Sequence, residues 1–195
     1  MDGVAKWFEV IAGCMFSGKT EELIRRLERV RIAGRLVLLF KPTIDNRCGD
    51  KTTQTHYGRE FPAFLLEPGK ETLKELKCLA GKEALNKAAV VAFDEGQFFS
   101  GKLSVLCKRL IARDKRVIVA GLNQTFAGKP FGPMPALMAL ADEVVTLNAV
   151  CVKCGRRATL TQRLLNGEPA PLGGPEIQVG GAKAYEARCR TCWGR

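Results

Sequence analysis

The residues best able to do chemistry occupy two short stretches and two spaced pairs. The first stretch is Gly13-Cys14-Met15-Phe16-Ser17-Gly18-Lys19-Thr20, a glycine and four residues followed by Gly-Lys-Thr. Entered from a buried strand and left through a helix, such a loop aims backbone N–H groups at one point, where the helix dipole also favours negative charge. Its glycines permit the backbone angles and the close approach that a phosphate cradle needs. There Lys19 would reach the β- and γ-phosphates of a nucleoside triphosphate, and Thr20 would offer its hydroxyl to Mg²⁺. An ordinary glycine turn is the competing reading. It leaves unexplained why an apolar run precedes the motif and an amphipathic run follows it.

The second stretch is Asp94-Glu95, at the end of the apolar run "AAVVAFDEGQFF". A phosphate-loop site needs a carboxylate at a neighbouring strand end for the Mg²⁺ shell, and Asp94 fits that need. The adjacent Glu95 would point differently and could take a proton from the nucleophile. That nucleophile is water in an ATPase and a hydroxyl in a kinase. Two solvated carboxylates at a strand end are the plain alternative.

The spaced pairs are Cys151-x-x-Cys154 and Cys189-x-x-Cys192. Four thiolates complete a tetrahedral Zn²⁺ shell and leave no open position, so the metal they imply is structural. Redox chemistry or iron–sulfur ligation is less favoured, since no βαβ context adjoins either pair. The 34 residues from Gly155 to Arg188 exceed the span of a short ribbon and would form an excursion pinned at its base.

These groups need elements to position them. Apolar runs at Trp7–Ala12, Leu36–Phe40, Ala88–Phe93, Val117–Ala120 and Val144–Val150 alternate with helical patterns: "EELIRRLERVRIAG", "ETLKELKCLAGKEALNK", "KLSVLCKRLIARD" and "PMPALMALAD". Leu23, Leu27 and Val30 repeat at helical spacing, with Gly34 as a stop. Continuous apolar strands separated by helices predict an α/β fold, a parallel sheet covered on both faces. The stretch "KPTIDNRCGDKTTQTHYGRE" has neither period and reads as a long, functional loop with a short hairpin. Past Cys151 the helical pattern stops and "GEPAPLGGPE" appears. This predicts a nucleotide-binding domain over 1–150 and a zinc-binding domain over 151–195.

Composition narrows the class. The chain has 195 residues, 46% of them apolar and 26% charged, which suits a soluble globular protein. No signal peptide or membrane span is readable, so the expectation is a cytoplasmic protein with reduced thiols. The net charge of +11 would admit a nucleic-acid partner. Stretches such as "RRLERVR" interleave Glu among the bases, however, as on a solvated face. No nucleic acid and no membrane is the expected partner.

Taken in order, "GCMFSGKTEELIRR", "FKPTIDNR", "FDEGQFF", "FGPMPALMALAD" and the paired cysteines resemble the type II thymidine kinase family, over nearly the whole chain. The resemblance implies a RecA-like P-loop NTPase core with a small C-terminal zinc-ribbon or lasso domain. It implies transfer of the γ-phosphate of ATP, with Mg²⁺, to the 5′-hydroxyl of thymidine. Glu95 would then be the general base, and Lys19 and Arg47 would neutralise charge on the transferring group. Gly13, Cys14, Met15, Phe16, Ser17, Gly18, Lys19 and Thr20 would hold ATP, with Asp94 at the Mg²⁺ and Gln97 by the phosphates. Phe98 would pack on the thymine, and Asp45 and Arg47 would sit on the loop approaching the phosphate. Met15, Leu122, Phe126, Phe131 and Tyr185 would line the nucleoside pocket, and a lasso carrying Ile177, Gln178 and Val179 would bind the base edge. A homotetramer inhibited by thymidine triphosphate is also implied. The chain departs from the family pattern at Asn123, where an acidic residue is usual, at Cys48 and at Cys14.

Physical chemistry agrees with this outline. Phosphoryl transfer asks for an in-line acceptor, neutralised charge and a dry cleft. Phe98, Phe126, Phe131 and Tyr185 offer flat apolar faces, with plain core packing as the competing reading for each. The sole histidine, His56, reads as a loop hydrogen-bonder. Two other functions stay open: a P-loop ATPase acting on nucleic acid through the zinc module and its Arg156, Arg157, Arg188 and Arg190, and a nucleotide-regulated binding module.

Overall fold

The computed structural model describes residues 6–44, 52–54, 60–173 and 184–194. Asp45, Arg47, Cys48, His56, Ile177, Gln178 and Val179 lie outside the described residues.

Six parallel strands form the central sheet: β1 (Trp7–Gly13), β2 (Val37–Pro42), β5 (Phe64–Leu66), β6 (Val90–Phe93), β7 (Arg116–Gly121) and β8 (Glu143–Leu147). They lie in the order β5-β2-β6-β7-β1-β8. The register sets Val10 beside Val119 and Val91 beside Val117. Successive side chains on a strand point to opposite faces, so each apolar run feeds two cores. Phe8, Val10 and Ala12 of β1 join Val117 and Val119 of β7 on one face. There they pack with α4 (Lys102–Ile111) and α5 (Met134–Leu140). Ile11, Ile118 and Ala120 turn the other way and pack on Leu23, Ile24, Leu27 and Val30 of α1 (Lys19–Ile32). The expected two-faced parallel α/β sheet is present.

One polar residue interrupts the first run for a structural reason. Glu9 is buried at 2% exposure and pairs with Arg26 of α1 and Arg116 of β7. It therefore clamps helix to sheet. Removing one partner of such a buried pair costs about 3–5 kcal/mol, because the other charge is left uncompensated.

The elements differ from the sequence reading in three places. The long pattern after Glu71 is two helices, α2 (Leu73–Ala80) and α3 (Lys82–Lys87), because Gly81 leaves the helical region at φ 89°. The edge strand β5 is three residues long, too short to display a period. The run Val144–Val150 divides at Asn148: β8 stays in the central sheet, while β9 (Ala149–Val150) pairs antiparallel with β10 (Arg157–Ala158). The long loop does hold a short hairpin, β3 (Thr52–Gln54) with β4 (Glu60–Pro62).

Beyond β10 the chain forms a small antiparallel sheet. Strand β11 (Leu160–Leu165) lies between β12 (Glu168–Pro169) and β13 (Tyr185–Arg188). Because the large sheet is all parallel, its strands end on one edge. That edge gathers Gly13, Asp94 and Leu122, which is where ligands bind in open α/β sheets. Among the described residues, no helix is long and apolar enough to cross a membrane.

Candidate active site

The loop from Gly13 to Gly18 joins β1 to α1, as its spacing requires. A Cβ on Gly13 would sit 2.5 Å from the Leu147 carbonyl oxygen, so only glycine lets the loop pass under β8. Phe16 adopts φ 63°, a left-handed conformation that a bulky residue holds only when its surroundings over-determine it. Ser17 Oγ and Lys19 Nζ both donate to the Cys14 carbonyl oxygen, at 2.8 and 2.7 Å. Gly18 stands at the N-cap with no side chain to cap the first turn of α1, so the helix presents N–H groups toward the loop in the manner of an anion site.

Thr20 Oγ1 lies 3.4 and 3.3 Å from the two Asp94 carboxylate oxygens. This hydroxyl–carboxylate pair is a donor set that suits Mg²⁺, which favours oxygen ligands and retains several waters. Asp94 is buried at 3% exposure, and its Oδ1 also accepts from Glu95 N. Glu95 follows with φ 51° and ψ 44°, again left-handed. Its carboxylate accepts from Gln97 Nε2. Gln97 is fixed in turn, since its Oε1 accepts from Leu122 N at 2.8 Å across the end of β7. Gly132 makes room for this turn: a Cβ there would fall 2.2 Å from the Gln97 carbonyl oxygen.

The aromatic residues form two groups. Phe98 and Phe131 meet edge to face, with centroids 5.7 Å apart. Phe126 and Tyr185 meet through Arg163, whose guanidinium carbon stands 3.7 Å from the Phe126 ring centroid and whose Nη2 donates to Tyr185 Oη at 3.2 Å. The loop from Leu122 to Phe131 connects the two groups, tied at its base by Phe131 N to Asn123 O. Asn123 therefore contributes its backbone carbonyl to the loop's closure.

Sequence reasoning missed the strand that faces both loops. Thr161 and Arg163 alternate on β11, so they share one of its faces. Thr161 Oγ1 accepts from Met15 N at 3.0 Å, while Arg163 covers Phe126. Cys14 extends the contact: burial pushes its thiol up, and its Sγ donates to Ala158 O. Three consecutive polar residues inside "LTQRLL", Thr161, Gln162 and Arg163, were the available signal, but they name no partner.

The four cysteines converge. Their Sγ atoms all lie within 4.8 Å of one another. Zn–S bonds of about 2.3 Å in a tetrahedron place sulfurs ~3.8 Å apart, and the 3.6 Å between Cys154 and Cys189 matches that spacing. Arg156 Nε bonds to Cys154 Sγ and holds its thiol down at about 6, favouring the thiolate that a metal needs. The donor set fits structural zinc.

A parallel sheet bearing a glycine phosphate loop, a hydroxyl–carboxylate pair and a second held carboxylate on one edge defines a P-loop nucleotide-binding protein. The thymidine kinase family model matches residues 6–193. A thymidine kinase of Halobacterium salinarum is 47% identical over 186 residues, covering 95% of this chain and 93% of that protein. One from Coprothermobacter proteolyticus is 50% identical over 183 residues (94% and 88%), and one from Haloquadratum walsbyi 41% over 211 (95% and 94%). The chain belongs to the thymidine kinase family.

Proposed function

We propose that this chain transfers the γ-phosphate of ATP to the 5′-hydroxyl of thymidine, and of deoxyuridine, for DNA synthesis. Thymidine kinase activity follows from its family; the residue roles are our reading of the site. The observation that carries it is the Thr20–Asp94 contact, which joins the phosphate loop to the strand end bearing Glu95.

In this reading the loop from Gly13 to Thr20 holds the triphosphate through its N–H groups, and Lys19 and Arg47 offset its charge. Thr20 and Asp94 would hold Mg²⁺, which when bound would supply Lewis-acid neutralisation of the phosphates. The Glu95 carboxylate takes the proton of the 5′-hydroxyl as that oxygen bonds to the γ-phosphorus. The bond to the β-phosphate oxygen breaks, and its electron pair leaves with ADP. Gln97 keeps the Glu95 carboxylate aimed, a role added to its expected place by the phosphates. Phe98 and Phe131 flank the base, Met15, Leu122, Phe126 and Tyr185 complete the pocket, and Asp45, Ile177, Gln178 and Val179, which lie outside the described residues, are read as further substrate-binding residues.

We further divide the chain near residue 150 into a nucleotide domain and a zinc-bound lasso domain, and read it as a cytoplasmic homotetramer inhibited by thymidine triphosphate. These readings rest on the motifs quoted above. The test is a mixture of ATP, Mg²⁺ and labelled thymidine. Labelled monophosphate is the expected product. Phosphate release stimulated by nucleic acid, with no monophosphate, would favour an ATPase acting through the zinc module.

A further inference from the structure

Glu71 is a buried carboxylate that the mechanism above does not use. It precedes α2, only 3% exposed. Its Oε1 accepts from Gly69 N at 3.0 Å and from Ser100 N at 2.7 Å, while Oε2 accepts from Ser100 Oγ at 2.8 Å. Burial would raise its pKa, yet the hydrogen bonds from Ser100 and Gly69 bring the carboxyl below its ordinary range. A second tie runs in parallel, from Lys102 Nζ to Gly69 O at 2.8 Å.

Ser100 ends the turn that begins at Glu95. Within it Phe98 N donates to Glu95 O at 3.0 Å and Phe99 N to Gly96 O at 3.3 Å. Glu95 itself stands at φ 51°, where a residue with a Cβ stays only if its neighbours hold it. Inside the turn, Asp94 and Gln97 supply part of that hold. At its far end the hold comes from Glu71, on a segment 29 residues from Ser100 in sequence.

We propose that Glu71 is a positioning residue for phosphoryl transfer: through Ser100 it keeps the Glu95–Ser100 turn closed, and so keeps Glu95 aimed at the acceptor hydroxyl. This rests on Glu95 being the base. Without the clamp the turn relaxes, and misplacement by about 1 Å costs on the order of 10²-fold in rate. The hydrogen bonds of Glu71 run to Gly69 and Ser100 and none to the phosphate loop among the described residues, so ATP binding is spared. A residue that merely stabilised the fold would lower activity in proportion to the loss of folded protein.

The experiment compares wild type with Glu71→Ala, Glu71→Gln, Glu95→Gln and the Glu71→Ala/Glu95→Gln pair, each zinc-loaded. Glu71→Ala is expected to lower kcat between about tenfold and 10²-fold, with the KM for ATP within about twofold. Glu71→Gln should recover most of the loss, because its amide oxygen still accepts from Ser100 N and Gly69 N. At saturating substrate the pair should be no slower in kcat than Glu95→Gln alone, since the clamp's effect on proton removal runs through Glu95. Should Glu71→Ala not yield soluble protein, Glu71→Asp, charged but one methylene short of Ser100, carries the same comparison. A normal kcat in the Glu71 variants beside an inactive Glu95→Gln overturns this proposal alone. An active Glu95→Gln overturns the base and the clamp together.

Discussion

The phosphate-loop edge and the zinc module hold their functional groups by opposite means. On the edge, Gly13 to Thr20 is one unbroken stretch, and Asp94 and Glu95 are neighbours at a strand end. Local geometry does most of the work there: a strand stops, a glycine loop turns and a helix begins. In the module the contacts are long-range. Cys154 meets Cys189, Met15 meets Thr161 and Phe126 meets Arg163. Chemistry that depends on aligned backbone N–H groups is encoded in short motifs, whereas a pocket wall needs side chains from distant segments. The zinc module is thus a brace on both loops.

The comparison breaks most visibly at the metal. Structural zinc in small modules contributes roughly 10 kcal/mol or more of apparent folding energy. Replacing Cys154 with Ser should therefore abolish zinc uptake and raise the KM for thymidine far more than that for ATP, as measured by zinc content and initial rates. Equal losses for both substrates would mean that the metal holds the entire molecule.

Next in size is the proposed base. Changing Glu95 to Gln should lower kcat by about 10²–10⁴-fold while leaving ATP affinity near wild type, because only proton removal is lost. Single-turnover product formation beside an ATP titration would read both quantities.

Two further substitutions separate the two contacts made from the shared face of β11. Replacing Arg163 with Met removes a desolvated cation–π contact of about 2 kcal/mol, so the KM for thymidine should rise roughly thirtyfold with that for ATP unchanged. Replacing Thr161 with Val leaves Met15 N without its acceptor, a loss of about 1 kcal/mol. The KM for ATP should rise roughly fivefold, with the smaller change in thymidine. If both variants shift both substrates alike, the module acts as one block and the two contacts are not separate braces.

The smallest effect concerns pH. The Glu71 carboxyl is depressed in the folded state from its unperturbed 4.5. Its charge therefore adds stability that is fully present above pH ~4.5 and is lost as pH falls through the lower folded value. Thermal midpoints of wild type and Glu71→Gln should differ at pH 7 and converge in acid. A gap that stays constant down to the acid limit would show that the carboxylate charge contributes nothing.

Much of this was legible in the residues alone. The runs from Trp7, Leu36, Ala88 and Val117 became central strands because a strand buried on both faces is apolar at nearly every position, as Phe8 and Ile11 are. The phosphate-loop spacing and the two cysteine pairs were equally plain, since each motif carries its own geometry. Other features carried no periodic signal. A three-residue edge strand is too short to show one, and Val144–Val150 reads as one mostly apolar run although Asn148 divides it between two sheets.

Only the tertiary structure decided which distant groups meet. Glu9 looked like a polar break in an apolar run and proved to be a buried clamp between Arg26 and Arg116. Gln97 turned out to join Glu95 to the end of β7, and Glu71, Thr161 and Arg163 acquired roles that their neighbours in sequence do not hint at. The reason is physical. Hydrophobic period and glycine spacing depend on the residues beside them, but a directional bond to a group tens of residues away exists only after the chain has packed and fixed both ends.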